Sequence, residues 1–177
     1  MEAGGMIVSA SFFLRFKAFL LDYILIFAYL ALLLIVNLFI FPSLQRFFTG
    51  SLVVAQFAGF LMVTLPVSLY FIFSDSRLSG QSFGKTKMGI RVIDQDSKPL
   101  SVMHAAFRTL LKFLPWELSH FLVYRLVEIG EGQVPIRFYF LGGLIYLLMV
   151  AYIVPAIFTK KHQSLYDLIT NTYVIKK

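Results

Sequence analysis

VMHAAFRTLLKFLPWELSHFLVYRLV, residues 102–127, is the one ambiguous passage in a chain whose other long apolar runs plainly belong in lipid. His104, Arg108 and Lys112 recur every four residues and so share a helical face, with Phe107, Leu110, Leu111 and Leu114 around the rest. That pattern suits a helix lying in the membrane interface, where Arg108 and Lys112 would meet lipid headgroups. Pro115 permits a bend, and Trp116 to Leu126, carrying Glu117, His120 and Arg125, is by itself too short for a hydrocarbon core of roughly 30 Å. Two readings therefore compete for this stretch: a polar crossing, or an interfacial or re-entrant helix.

On either side the assignment is simpler. Leu20 to Phe41, Ser51 to Phe73 and Ile136 to Phe158 are each long enough, at about 1.5 Å per helical residue, to cross a bilayer. If these were the only crossings, Lys160, Lys161, Lys176 and Lys177 would lie opposite Lys85, Lys87 and Arg91, against the positive-inside rule. A crossing within 102–127 puts both termini and the basic loop in the cytoplasm and leaves Glu128 and Glu131 outside. The expected fold class is all-α: a polytopic transmembrane bundle of three to four spans, with four favoured, forming one domain over residues 1–177.

Composition narrows the function. With 59% hydrophobic and 14% charged residues, the chain lacks the polar surface of a soluble globule, so its first partner is the lipid bilayer. The net charge of +7 is gathered in the N-terminal flank, in Arg77 to Lys112 and in the tail, which reads as topology rather than nucleic-acid affinity. Zero cysteines exclude disulfides and thiol chemistry. A chain of 177 residues would need to form a homo-oligomer to move large cargo. The first apolar run is too long for a cleaved signal, and Met1 to Gly5 carries no correctly placed myristoylation signal.

Ser9 and Ser11 can cap a helix starting near Phe12, and Pro66 is the expected kink of the second span. Between spans, Gly80, Gly84 and Gly89 argue against one continuous helix. Met88 to Ile93 alternates as a strand does, and Thr172 to Ile175 has matching β-propensity, so the two are expected to pair on the cytoplasmic face. Gly84-Lys85-Thr86 imitates the end of a phosphate loop. It follows a membrane span, however, and Ser79 stands where the first glycine belongs, so Lys85 and Lys87 are read as lipid headgroup contacts instead.

A charge at bilayer depth costs about 3 kcal/mol or more, so Asp22, Glu117 and His120 need partners, water or a role. Arg15 and Asp22 lie on nearly the same helical face about 10 Å apart, too far for a direct bridge. Asp75 or Asp167 could join them, making a structural clamp; alternatively Asp22 is a cation or proton site. Glu117 and His120, at i and i+3, can hold a proton between them or hydrogen-bond other helices. Two ligands do not make a metal site, so neither a metal nor a cofactor is expected. No nucleophile, base and orienting acid stand at recognisable spacing, so the chain is not expected to be an enzyme. Gly142-Gly143 should permit close helix approach.

Arg15 and Asp22 on the first span, Gly80-Gln81-Ser82-Phe83-Gly84-Lys85 leading to Gly89-Ile90-Arg91-Val92-Ile93-Asp94, and Gln163-Ser164-Leu165-Tyr166-Asp167 with Thr172 together resemble the RDD family of membrane proteins. The resemblance covers most of the chain. It implies that the family's defining arginine and two aspartates are Arg15, Asp22 and Asp167, with Asp75 where many relatives carry glutamate and Tyr166 in place of a frequent histidine. It also implies a bacterial-type inner membrane protein, some relatives being implicated in monovalent cation/proton antiport. Two expectations follow. In an antiporter Asp22 would bind cation and proton alternately, Arg15 would tune it by charge, and Glu117 with His120 would relay protons. In a non-transporting scaffold or assembly partner, the Arg/Asp set would lock helices together.

Overall fold

A computed structural model describes residues 8–177; the N-terminal residues, including the stretch read for a myristoylation signal, lie outside it. The first long helix, α1 (Phe12–Ile35), is prolonged by a π-helical turn at Val36–Ile40. After a tight turn at Pro42–Gln45 and the short α2 (Arg46–Thr49), the second span runs as α3 (Leu52–Gly59), a π-helical turn (Phe60–Thr64) and α4 (Leu65–Asp75). The helix α5 (Phe83–Lys87) and strand β1 (Ile90–Asp94) follow. Then come α6 (Val102–Ile129), α7 (Ile136–Phe158), α8 (Leu165–Ile169) and β2 (Thr172–Lys176).

Three of these helices, Phe12–Ile40, Leu52–Asp75 and Ile136–Phe158, are long and apolar enough to cross a membrane. The ambiguous stretch is resolved by its contacts. At 28 residues, roughly 42 Å, α6 runs unbroken through Pro115. It lies antiparallel to the second span, with Arg108 at Asp75, Glu117 at Thr64 and Tyr124 at Ala55. It is also antiparallel to α7, where the Tyr152 hydroxyl donates to the Leu111 carbonyl at 2.5 Å and Gly142 faces Leu122. The second span is in turn antiparallel to α1, through Tyr70 to Asp22 and Tyr29 to the Met62 carbonyl. The four long helices thus alternate in direction, and α6 carries the chain from one end of the bundle to the other. It is the fourth long helix of the bundle, more polar than the three candidate spans it packs beside. The second span is disturbed at Phe60–Thr64, just ahead of Pro66 rather than at it.

One end of the bundle is closed by a polar cap. Strands β1 and β2 pair antiparallel with Val92 opposite Val174, as the alternation predicts, and the N-terminal segment adds a bridge from Ser9 to Ile175. Ala10, Ala18, Ile90, Val92, Leu100, Ala105 and Val174 form a small apolar core beneath it. The remaining bundle surface is apolar and exposed, as lipid contact requires.

The cap is built twice from one plan. Residues 80–94 and 162–176 fold alike, 82 positions apart. Gly80 and His162 both have positive φ (78° and 50°), as do Gly89 and Asn171 (63° and 49°). Gln81 donates to the Ile90 carbonyl at 2.7 Å, and Gln163 to the Thr172 carbonyl at 2.8 Å. Ser82 and Ser164 each stand at the N-cap of a five-residue helix leading into a five-residue strand. The strand register centres on Val92 and Val174, so a local twofold axis passes through that pair.

Candidate functional site

Between cap and bundle lies a buried ladder of charges of alternating sign. It begins with Arg15 on α1, which pairs with Asp167 on α8 and donates to the His162 carbonyl. Asp167 is fully buried because α8 is fixed by a capping box, in which Asp167 accepts the Ser164 N–H. Its other oxygen takes Arg108 Nη2 at 2.6 Å and Nε at 3.1 Å. Arg108 then reaches Asp75 through Nη1 at 2.8 Å, and Asp75 pairs with Lys85. The Arg108 guanidinium also lies 5.0 Å from the centre of the Tyr166 ring. Arg15, Asp167, Arg108, Asp75 and Lys85 come from five separate elements, and arginine's planar fork lets Arg108 address one carboxylate with Nη1 and the other with Nε and Nη2.

Asp22 sits beside this ladder but does not bond Arg15. It accepts the Tyr70 hydroxyl at 2.7 Å, the Ser82 hydroxyl at 2.6 Å and the Gly84 N–H at 2.8 Å. A carboxylate is thereby set against the N-terminal turn of α5, where free N–H groups favour negative charge. Gly84 is obligatory here, since a Cβ at that position would lie 1.9 Å from the Ala18 carbonyl oxygen. The apparent phosphate loop is a docking joint between α5 and α1.

Asp22, Lys85, Arg108 and Lys112 line a cavity of about 70 Å³, room for a water or two. Lys112 has no carboxylate partner among the described residues and instead packs over Phe71, 3.4 Å from the ring centre. Glu117 and His120 lie elsewhere. Glu117 accepts the Thr64 hydroxyl, His120 Nδ1 is 3.7 Å from the Glu117 carboxylate, and both line a separate cavity toward the uncapped end. Val67, Phe71 and Phe113, with Ile26, form an apolar layer between the two sites.

The sequence profile of the RDD family matches residues 9–171. The chain belongs to the RDD family. No curated protein and no solved structure matches it.

Arg15, Asp22 and Asp167 thus divide between two joints: Arg15 and Asp167 hold the ladder, while Asp22 holds α5. Three of the four expected headgroup contacts are corrected. Lys85 and Arg108 are buried and ion-paired, because the carboxylates of Asp75 and Asp167 offset the cost of withdrawing them from water. Lys112 is likewise turned toward Phe71, whereas Lys87 is exposed and lies 5.8 Å from the Phe83 ring. His104 and His162 are bound to the cap as well, His104 Nε2 lying 2.7 Å from the Thr170 carbonyl. Gly142 does permit the approach of Leu122, while Gly143 faces open space.

In this RDD cap, burial would raise the Asp167 carboxyl, but Arg15 and Arg108 outweigh it and hold the group at about 2, below its ordinary 3.8. The folded state therefore favours the ionised form. The resulting stabilisation, on the order of 2 kcal/mol, is complete above the ordinary value and is lost as pH falls from about 4 to about 2. Thermal scans of the detergent-solubilised protein should show a melting midpoint that falls through that window. A midpoint that stays level down to pH 2.5 contradicts the ladder's role in holding the fold.

Proposed function

We propose that this chain is a non-transporting membrane scaffold, in which the Arg/Asp ladder locks a rigid polar cap onto a four-helix bundle. The observation that carries this reading is the saturation of the ladder: every carboxylate in it is already bonded to a guanidinium or ammonium, and Asp22 already accepts three hydrogen bonds. An exchanging ion would have to displace these partners in a buried setting, where leaving a charge unpaired costs several kcal/mol. The cluster of Val67, Phe71 and Phe113 also lies between Asp22 and the Glu117–His120 pair, and among the described residues no side-chain hydrogen bond joins the two.

The same reading places the cap in the cytoplasm of a cell, across its plasma (inner) membrane, with both termini on that side. Of 16 Lys and Arg residues, Arg46, Arg125 and Arg137 lie at the uncapped end, and the rest follow the cap. Exposed Lys160, Lys161, Lys176 and Lys177 then face anionic headgroups or an acidic partner protein.

One observation favours the second reading, exchange of a monovalent cation for protons. Asp22 is 2% exposed, has no cationic partner within bonding distance among the described residues, and shares its small cavity with Lys112, for which the described residues supply no carboxylate. Proteoliposomes carrying an internal pH-sensitive dye separate the two. The scaffold reading expects added sodium, lithium or potassium to leave a pH gradient as it stands in protein-free vesicles, and expects Asp22→Asn to lower the yield of folded protein. Dissipation by one of these cations, abolished by Asp22→Asn at normal expression, would establish exchange instead.

A further inference from the structure

We infer that the cavity toward the uncapped end is a binding site for an apolar molecule bearing a protonated amine. The cavity holds about 550 Å³, within the range of pockets that enclose a small amphiphile. It lies between α1, the second span and α6; half of its sixteen lining residues are leucine, phenylalanine, valine or methionine, and the polar ones include Asn37, Gln45, Gln56, Glu117 and His120.

Three independent features converge on it. Both π-helical turns of the molecule contribute to the wall, Asn37 and Leu38 from one, Met62 and Val63 from the other. Such turns cost regular helical hydrogen bonding and gather at functional sites. Next, Asn37 Oδ1 is buried and accepts no hydrogen bond, although its amide nitrogen donates to the Leu33 carbonyl at 2.8 Å. A buried acceptor left open costs about 1–3 kcal/mol, which a donor in the cavity would relieve. Finally, Glu117 brings the cavity a carboxylate, with one oxygen engaged by Thr64. A carboxylate and an open amide oxygen in a wall that is half hydrocarbon call for a cationic N–H donor on an apolar body. An anion would be repelled, and a purely apolar guest would leave both acceptors unmet. This inference does not rest on the scaffold reading, because the apolar layer at Phe71 and Phe113 keeps this cavity apart from the ladder.

Trp116, the chain's single tryptophan, lies 4.5 Å from His120 by ring centres and so reports occupancy by its fluorescence. Dodecylamine titrated into the full-length protein in nanodiscs of phosphatidylcholine should shift Trp116 emission saturably. Uncharged 1-dodecanol should give only the non-saturating drift of partitioning into lipid. Glu117→Gln and Asn37→Leu should each weaken dodecylamine binding at least tenfold, with melting temperatures near that of the parent. Whether the natural amine is a lipid headgroup or a free amine is read from discs containing phosphatidylethanolamine: a lower dodecylamine affinity there assigns the site to the headgroup, an unchanged one to a free amine. Equal binding of dodecanol and dodecylamine, or unaltered affinity in both folded variants, overturns the inference.

Discussion

Arg108→Met is expected to abolish the folded protein, or to lower its stability by about 3–5 kcal/mol, because in one step it takes a charged hydrogen-bond partner from both Asp75 and Asp167, leaving each buried carboxylate with one cation, Lys85 or Arg15. That is a large part of the 5–15 kcal/mol by which a typical domain holds together. Arg108→Lys should recover little. A single nitrogen cannot reproduce the three bonds that the guanidinium makes from separate atoms, Nη1 on one side and Nε with Nη2 on the other. Arg91→Met supplies the control, since Arg91 is exposed on β1 and its loss should change stability by less than about 0.5 kcal/mol. Size-exclusion profiles and thermal midpoints in detergent make the comparison. An Arg108→Met protein melting with the parent would show that the cap is held by its apolar core alone.

Gly84→Ala carries the second large effect for the smallest change in composition. The added methyl would lie 1.9 Å from the Ala18 carbonyl oxygen and 2.8 Å from its carbon, and both atoms belong to helical backbone that cannot swing aside. Helix α5 must therefore lift from α1, losing the Gly84 N–H to Asp22 bond and loosening the Ser82 bond beside it. Overpacking costs about 1–3 kcal/mol and a hydrogen bond to a charged group about 1.5–3 more. Gly143→Ala, where a methyl meets open space, should be neutral or slightly stabilising. Parallel melting curves decide it: equal midpoints for the two alanine variants would refute the close approach of α5 and α1.

Much of the architecture was legible because hydropathy and the positive-inside rule act on single segments. The three apolar spans and the β1–β2 pairing could be read from spacing and charge. Arg108 could not. Its neighbours at i±4 are His104 and Lys112, a basic face indistinguishable in one dimension from a headgroup-facing one, and its two carboxylates lie 33 and 59 residues away. Lys85 differs from its expected headgroup position for another reason: Asp75 is only 10 residues away, but the turn that brings the two together is not visible in the spacing. The doubled cap was missed for a third: beyond Gln-Ser at 81–82 and 163–164 and Val-Ile at 92–93 and 174–175, the copies share backbone conformation more than residue type. Gly89 and Asn171 meet the same positive φ with different side chains, and Lys85 and Asp167 occupy the same helical position with opposite charge.

The span of the ladder along the chain also sets the order of biogenesis. Arg15 finds Asp167 152 residues later. At a ribosomal rate of about 5–20 residues per second, the first helix waits roughly ten seconds or more for its partner to be made. Until then Arg15 relies on water at the membrane border and Arg108 on Asp75 alone, and the nascent bundle is exposed to proteolysis until α8 and β2 arrive.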